Sequence, residues 1–266
     1  MDPIHATQKG LDRLAEIVRR LRDPEGGCPW DVEQTHESIA PYAIEEAHEV
    51  VDAIERADWG DLRLELGDLL LQVVYHARMA EEAGRFDLAA VVDGIARKMV
   101  DRHPHVFGDE ARDRTAGAQS IEWEAAKAAE RARRGAGGAL DGVPLGLPAL
   151  TRAAKLQRRA ARVGFDWPEP GPVLDKVVEE ARELAQAATP EAVAEETGDL
   201  LFAAVNLARH RGVDPEGALR AANAKFQRRF EAIEAALARD GRRPEGSTLE
   251  EMDALWDAAK ARERSG

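Results

Sequence analysis

Glu179-Glu180-Ala181-Arg182-Glu183, followed after a short interval by Glu196-Thr197-Gly198-Asp199, has a near copy earlier in the chain, Glu45-Glu46-Ala47-His48-Glu49 and Glu65-Leu66-Gly67-Asp68. Apolar residues border the acids at helical spacing, as Ile44, Ala47, Val50, Val51 and Ile54 in one copy and Val173, Val177, Val178, Ala181 and Leu184 in the other. Residues three apart on a helix share a face. Glu46 with Glu49, Glu65 with Asp68, Glu180 with Glu183, and Glu196 with Asp199 therefore each form a two-carboxylate claw. Two facing claws gather about four negative charges, which repel one another strongly unless a cation lies between them. Magnesium, a hard cation that takes oxygen ligands, is the simplest occupant. One such cluster alone would read as a solvated helix face. Its recurrence, and the apolar runs Leu69-Leu70-Leu71 and Leu200-Leu201-Phe202 directly after each second claw, pull the acids toward a packed interior.

The repeat extends beyond the acids. Leu11-Asp12-Arg13-Leu14-Ala15 with Arg19-Arg20 parallels Leu150-Thr151-Arg152-Ala153-Ala154 with Arg158-Arg159. Tyr75-His76-Ala77-Arg78 stands where Asn206-Leu207-Ala208-Arg209 stands, Lys98 and Arg102 match Lys225 and Arg229, and Trp123 to Lys127 matches Trp256 to Lys260. Self-similarity of this length predicts a tandem repeat: a first unit over residues 1–128, an Ala/Arg/Gly linker over 129–139, and a second unit over 140–266. The 266 residues suffice for two compact units. Ala, Leu, Glu and Arg dominate, and helix-period stripes run from Leu11 to Leu21, Ile39 to Ile54, Leu62 to Met79 and Leu88 to Val100, so the fold class is all-α.

Composition narrows the function. No apolar run approaches the ~20 residues that span a bilayer, and the charged N-terminus lacks the apolar core of a signal peptide. The single cysteine, Cys28, forms no internal disulfide, which fits a reducing cytoplasm. A net charge of −13 disfavours a nucleic-acid polymer as partner, while a small phosphorylated ligand remains compatible if metal and local basic groups meet its charge. Lys225 and Arg229, four apart on one helix face, are suited to a polyphosphate tail. Trp256 and Trp167 each suit either stacking on a base or capping a core.

These residues resemble a known family. The two acidic patterns, with Val163-Gly164-Phe165-Asp166-Trp167, Gly198-Asp199-Leu200-Leu201-Phe202, Asn206-Leu207-Ala208-Arg209-His210 and Asn223 to Phe230, are similar to the tandem-domain MazG nucleoside triphosphate pyrophosphohydrolases. The resemblance implies helical bundles completed by dimerisation, as in the dimeric dUTPases. It also implies magnesium-dependent hydrolysis of (deoxy)nucleoside triphosphates to monophosphate and pyrophosphate, as house-cleaning of the nucleotide pool. Carried over by position, Glu180, Glu183, Glu196 and Asp199 are the expected metal ligands, with Glu179 beside them to orient water, so that Glu179, Glu180 and Glu183 form the catalytic group. Lys176, Lys225, Arg229 and Trp256 are expected nucleotide contacts. The amides Asn206 and Asn223 join them on the strength of what a side-chain amide can bond.

The first copy keeps Glu46, Glu49, Glu65 and Asp68 as a second metal site but has Tyr75 and Ala96 in place of the two asparagines, so the second copy is the expected catalytic one. Two other classes compete. Glu45 and His48 offer the Glu-x-x-His pair of a di-iron carboxylate bundle, although Arg182 replaces the histidine in the second copy. A non-catalytic nucleotide- and metal-binding regulatory module would need the same acids.

Overall fold

The computed structural model describes residues 10–108 and 138–265. Every regular element among them is helical, and the chain divides into two compact units, Met1–Ala126 and Lys127–Gly266. The linker read over 129–139 lies almost wholly outside the described residues, as do Trp123 and Lys127.

The first unit runs α1 (Leu11–Leu21), α2 (Pro29–Glu33), α3 (His36–Glu55), α4 (Trp59–Glu82), α5 (Leu88–Asp101) and α6 (Pro104–Phe107). Helix starts follow local capping chemistry. Thr35 and Ser38 close a capping box at α3, Asp58 accepts the amides of Gly60 and Asp61 at α4, and Asp87 accepts that of Ala90 at α5. Between α3 and α4 the chain reverses within three residues, Ala57 taking the left-handed conformation with φ 54° while Asp58 N–H bonds the Ala53 carbonyl. Such a short connection lays α3 against α4 along their lengths, which sets the first acidic pair face to face. Helix α1 packs on α4, and Val18, Ile39, Val74, Tyr75 and Met79 form the buried centre.

The second unit repeats this plan with α7 (Ala149–Arg162), α8 (Pro170–Gln186), α9 (Pro190–His210), α10 (Pro215–Arg239), a 3-10 turn (Pro244–Gly246) and α11 (Leu249–Ser265). Proline in the first turn starts α8, α9 and α10, where its missing N–H costs nothing; Thr189 and Asp214 cap the latter two. Helix α8 lies along α9, α7 crosses α9 and α10, and α11 returns along α10. At the end of α7, Gly164 takes φ 87° while Phe165 N–H bonds the Ala160 carbonyl, a turn that a side chain at 164 would strain. No helix among the described residues is long and apolar enough to cross a membrane.

Candidate functional site

Both acidic pairs converge. Glu180, Glu183 and Glu196 each place a carboxylate oxygen within 4.8 Å of the others, and Glu46, Glu49 and Glu65 do the same in the first unit. Neither trio contains a histidine, so the Glu45/His48 pair is not part of either cluster and the di-iron reading loses its support. The mutual repulsion is visible in the side chains. Burial, then the charges of Glu183, Glu180 and Asp199, push the Glu196 carboxyl above its ordinary range. Glu46 and Glu65 are raised in the same way, burial first and the neighbouring Asp68 and Glu49 charges for one, Glu49 and Asp61 for the other. Asp68 and Asp199 stand beside the trios and act on them through their charge rather than as their nearest members.

The two sites differ in what surrounds the acids. In the second unit a cavity of about 800 Å³ reaches from Glu180 and Asp199 inward to α7 and across to Phe165 and Trp167. Lys176, Asn206 and Arg209 line it as well. Lys176 holds Glu179 at 2.9 Å and Glu180 at 2.5 Å, and these two bonds raise its pKa. Asn206 is buried, its Oδ1 accepting from Arg209 Nε at 3.0 Å and Nη2 at 2.6 Å, while Arg209 and His210 both hold Asp166, at 2.5 and 3.1 Å.

In the first unit the same place is filled. Aligned on their arginine pairs, Val18 corresponds to Gln157, Leu21 to Ala160 and Arg22 to Ala161; aligned on the second claws, Tyr75 corresponds to Asn206. Val18 is 0% exposed and Tyr75 only 6%. The Tyr75 hydroxyl donates to Asp31, and Arg22 lies over the Tyr75 ring, donates to the Asp31 and Gln34 carbonyls and pairs with Glu82 at 2.8 Å. Burial, followed by the bond to Asp31, pushes the phenol up to about 12. Tyr42 occupies the register of Lys176, so this acidic trio also lacks a cation one turn before it on α3.

Of the residues selected from sequence, the structure brings together Lys176, Glu179, Glu180, Glu183, Glu196, Asp199 and Asn206. Asn223, Lys225, Arg229 and Trp256 do not line that cavity. Arg229 and Trp256 form a second group on α10 and α11: the Arg229 guanidinium lies 5.3 Å above the Trp256 ring and pairs with Glu263 at 2.6 Å, and Phe226 packs 5.3 Å from the same indole. Asn223 and Lys225 are exposed on α10. Sequence reading gives no site role to Asp166 and Arg209, which it quotes only within motifs, and does not single out Gln157. Gln157 was detectable as a polar residue at the α7 position where the first copy carries Val18.

The MazG nucleotide pyrophosphohydrolase domain matches residues 34–107, and the phosphoribosyl-ATP pyrophosphohydrolase family matches residues 160–226. An Escherichia coli protein named nucleoside triphosphate pyrophosphohydrolase is 51% identical over 258 residues, covering 95% of this chain and 98% of the relative. The Thermotoga maritima protein named nucleoside triphosphate pyrophosphohydrolase/pyrophosphatase MazG is 43% identical over 250 residues, 94% of this chain and 95% of its own. A Mycobacterium tuberculosis protein named nucleoside triphosphate pyrophosphohydrolase is 41% identical over 161 residues, 60% of this chain and 48% of its own. With two helical units in tandem, an acidic trio in each and relatives that match over nearly their whole length, the chain belongs to the MazG family of nucleoside triphosphate pyrophosphohydrolases.

Proposed function

We propose that the second unit hydrolyses (deoxy)nucleoside triphosphates to the monophosphate and pyrophosphate, with magnesium, and with a base tolerance suited to clearing aberrant or surplus nucleotides. The observation that carries this reading is the mixed lining of one cavity: the carboxylates of Glu180 and Asp199 and the Lys176 ammonium together with Phe165, Trp167 and the buried amides Gln157 and Asn206. Such a site suits a ligand that is polyanionic at one end and a flat heterocycle at the other. Both family matches carry the word pyrophosphohydrolase, which supports release of pyrophosphate rather than orthophosphate.

The donor set fits a hard divalent cation, since three clustered carboxylate oxygens with a raised Glu196 gain most from a positive charge between them. Glu180, Glu183, Glu196 and Asp199 would hold it, and magnesium there would neutralise the charge of the triphosphate oxygens. The protein's own groups do the rest. Lys176 compensates Glu180 and stands at the cavity edge to meet a phosphate oxygen, exposed Glu179 orients water, and Asn206, fixed by Arg209, positions the nucleoside.

A homodimer completes this reading. Leu174 and Val178 on α8 and Leu201 on α9 are exposed apolar side chains in the second unit, as are Ile44, Leu66 and Leu70 in the first. A second copy that covers them can also bring the Lys225, Arg229 and Trp256 face of α10 and α11 to the cavity. In the cell we place the enzyme in the cytoplasm, where its substrates are. Incubation with each triphosphate and magnesium, separating pyrophosphate from orthophosphate, tests the reaction. Monophosphate and pyrophosphate are expected; diphosphate and orthophosphate, or binding without turnover, would overturn it in favour of a phosphatase or a regulatory module.

A further inference from the structure

Gln157 projects from α7 into the wall of the second unit's cavity and is only 6% exposed. Its Nε2 donates to the Phe202 carbonyl oxygen of α9 at 2.8 Å. A carbonyl can only accept, so the amide nitrogen must face it and Oε1 is the atom left over. That oxygen is buried and has no hydrogen-bond partner among the described residues. A buried acceptor left unsatisfied is costly, so its retention needs a reason. The fold does not supply one, because the first unit builds the same position from Val18 and packs it completely.

We propose that Gln157 reads the nucleobase, its Oε1 accepting an N–H from the base edge in a slot that Phe165 and Trp167 border. This rests on the reading of the cavity as a triphosphate site. Adenine and cytosine present an exocyclic amino group, and guanine and uracil a ring imino group. A single acceptor therefore admits every natural base and rejects a heterocycle that carries no donor. Asn206 complements it: with Oδ1 taken by Arg209, its amide N–H groups are what it offers a ligand on the neighbouring helix. The first unit, with Val18 and Tyr75 at these places, has neither group to offer.

The test compares ATP with purine riboside triphosphate, the same nucleotide without the 6-amino group, in wild type and in Gln157→Val. Wild type should favour ATP in kcat/KM by about tenfold, the worth of one hydrogen bond to an otherwise unpaired buried acceptor. In Gln157→Val the preference should fall to near unity through loss on ATP, with the circular dichroism unchanged. Equal handling of the two nucleotides by wild type, or an ATP preference that survives in the variant, overturns the assignment while leaving pyrophosphate release intact. Should wild type release no pyrophosphate from any triphosphate, the catalytic reading fails by itself. Tryptophan-fluorescence titration with the α,β-methylene analogues of the same two nucleotides then decides the role of Gln157: about tenfold tighter binding of the adenosine analogue upholds it, and equal binding overturns it. If Gln157→Val does not fold, the wild-type comparison decides alone.

Discussion

The Lys176 ammonium lies 2.5 Å from Oε1 of Glu180, four residues along α8, and Glu180 is only 4% exposed. The most enclosed carboxylate of the second trio is thus compensated by its own helix. Replacing Lys176 with Met should lower the melting temperature of the magnesium-free protein at neutral pH, because it leaves the buried Glu180 carboxylate without its partner. Magnesium should narrow the gap by supplying positive charge to the same carboxylates. Thermal melts of both proteins with and without the ion measure this, and a deficit that ignores magnesium would detach Lys176 from the acidic cluster.

Glu180→Ala should lower pyrophosphate release by about 100-fold or more, the scale of a lost metal ligand, whereas Glu46→Ala should stay within about twofold of wild type. Each belongs to its own trio, but Glu180 also lines the large cavity of the second unit, whereas Val18 and Tyr75 fill the corresponding place in the first. Assays at saturating magnesium, with light scattering to check assembly, separate lost chemistry from lost structure. Equal losses would mean a composite site.

Arg22 is nearly buried, and it joins Glu82, the Asp31 and Gln34 carbonyls and the Tyr75 ring. Arg22→Met should cost about 1–3 kcal/mol, since the Gln34 carbonyl loses its donor while Glu82 keeps Arg78 and the Asp31 carbonyl keeps the Tyr75 hydroxyl, yet leave hydrolysis by the folded protein unchanged. Tyr75→Phe, which removes one hydroxyl, should cost about 1 kcal/mol. Urea unfolding alongside a pyrophosphate assay checks both. A fall in turnover by folded protein would make the first unit a participant in catalysis.

The hydrogen bond from Arg209 holds the Asp166 carboxyl below its ordinary range, against a smaller opposing effect of burial, and His210 adds to the lowering. A carboxylate with a depressed native pKa contributes stability that is complete above its unfolded value, about 3.9, and disappears as pH falls through the folded value. Asp166→Asn should therefore cost about 1 kcal/mol at pH 7, and the difference should close once pH falls through the depressed folded value. A gap that persists in acid would place the contribution of Asp166 in packing rather than charge.

In solution the chain should be a dimer at micromolar concentration, measured by light scattering or sedimentation. A charged residue on the apolar face, as in Leu201→Glu or Leu70→Glu, should shift it toward monomer, because Leu201 and Leu70 are about half exposed in the single chain. A wild-type monomer would remove the expected interface.

Sequence revealed the acids because helical spacing is a local rule: Glu180 and Glu183 share a face whatever else the chain does, and α8 and α9 are joined by too few residues to pack otherwise. The helix stripes were legible for the same reason. What stayed hidden depends on contacts between helices distant in sequence. The bond from Gln157 to the Phe202 carbonyl and the bond from Arg209 to Asp166 each link residues more than 40 positions apart, and no periodicity announces them. The exchange of Asn206 for Tyr75 was visible, but not that the tyrosine would close a cavity with Val18 and Arg22.

That closure has a consequence for how one half of the molecule could be turned into the other. Removing Arg22 takes the donor from the Gln34 carbonyl and one of two cations from Glu82, removing Tyr75 takes the hydroxyl from the Asp31 carboxylate, and a glutamine in place of Val18 would put an amide among Ile39, Val74 and Met79. Each change taken singly lowers stability before any nucleotide gains entry. The two repeats are therefore separated by a barrier in sequence space: stepwise routes from a filled pocket to an open one run downhill in stability first, and only a concerted exchange of several buried residues would cross it.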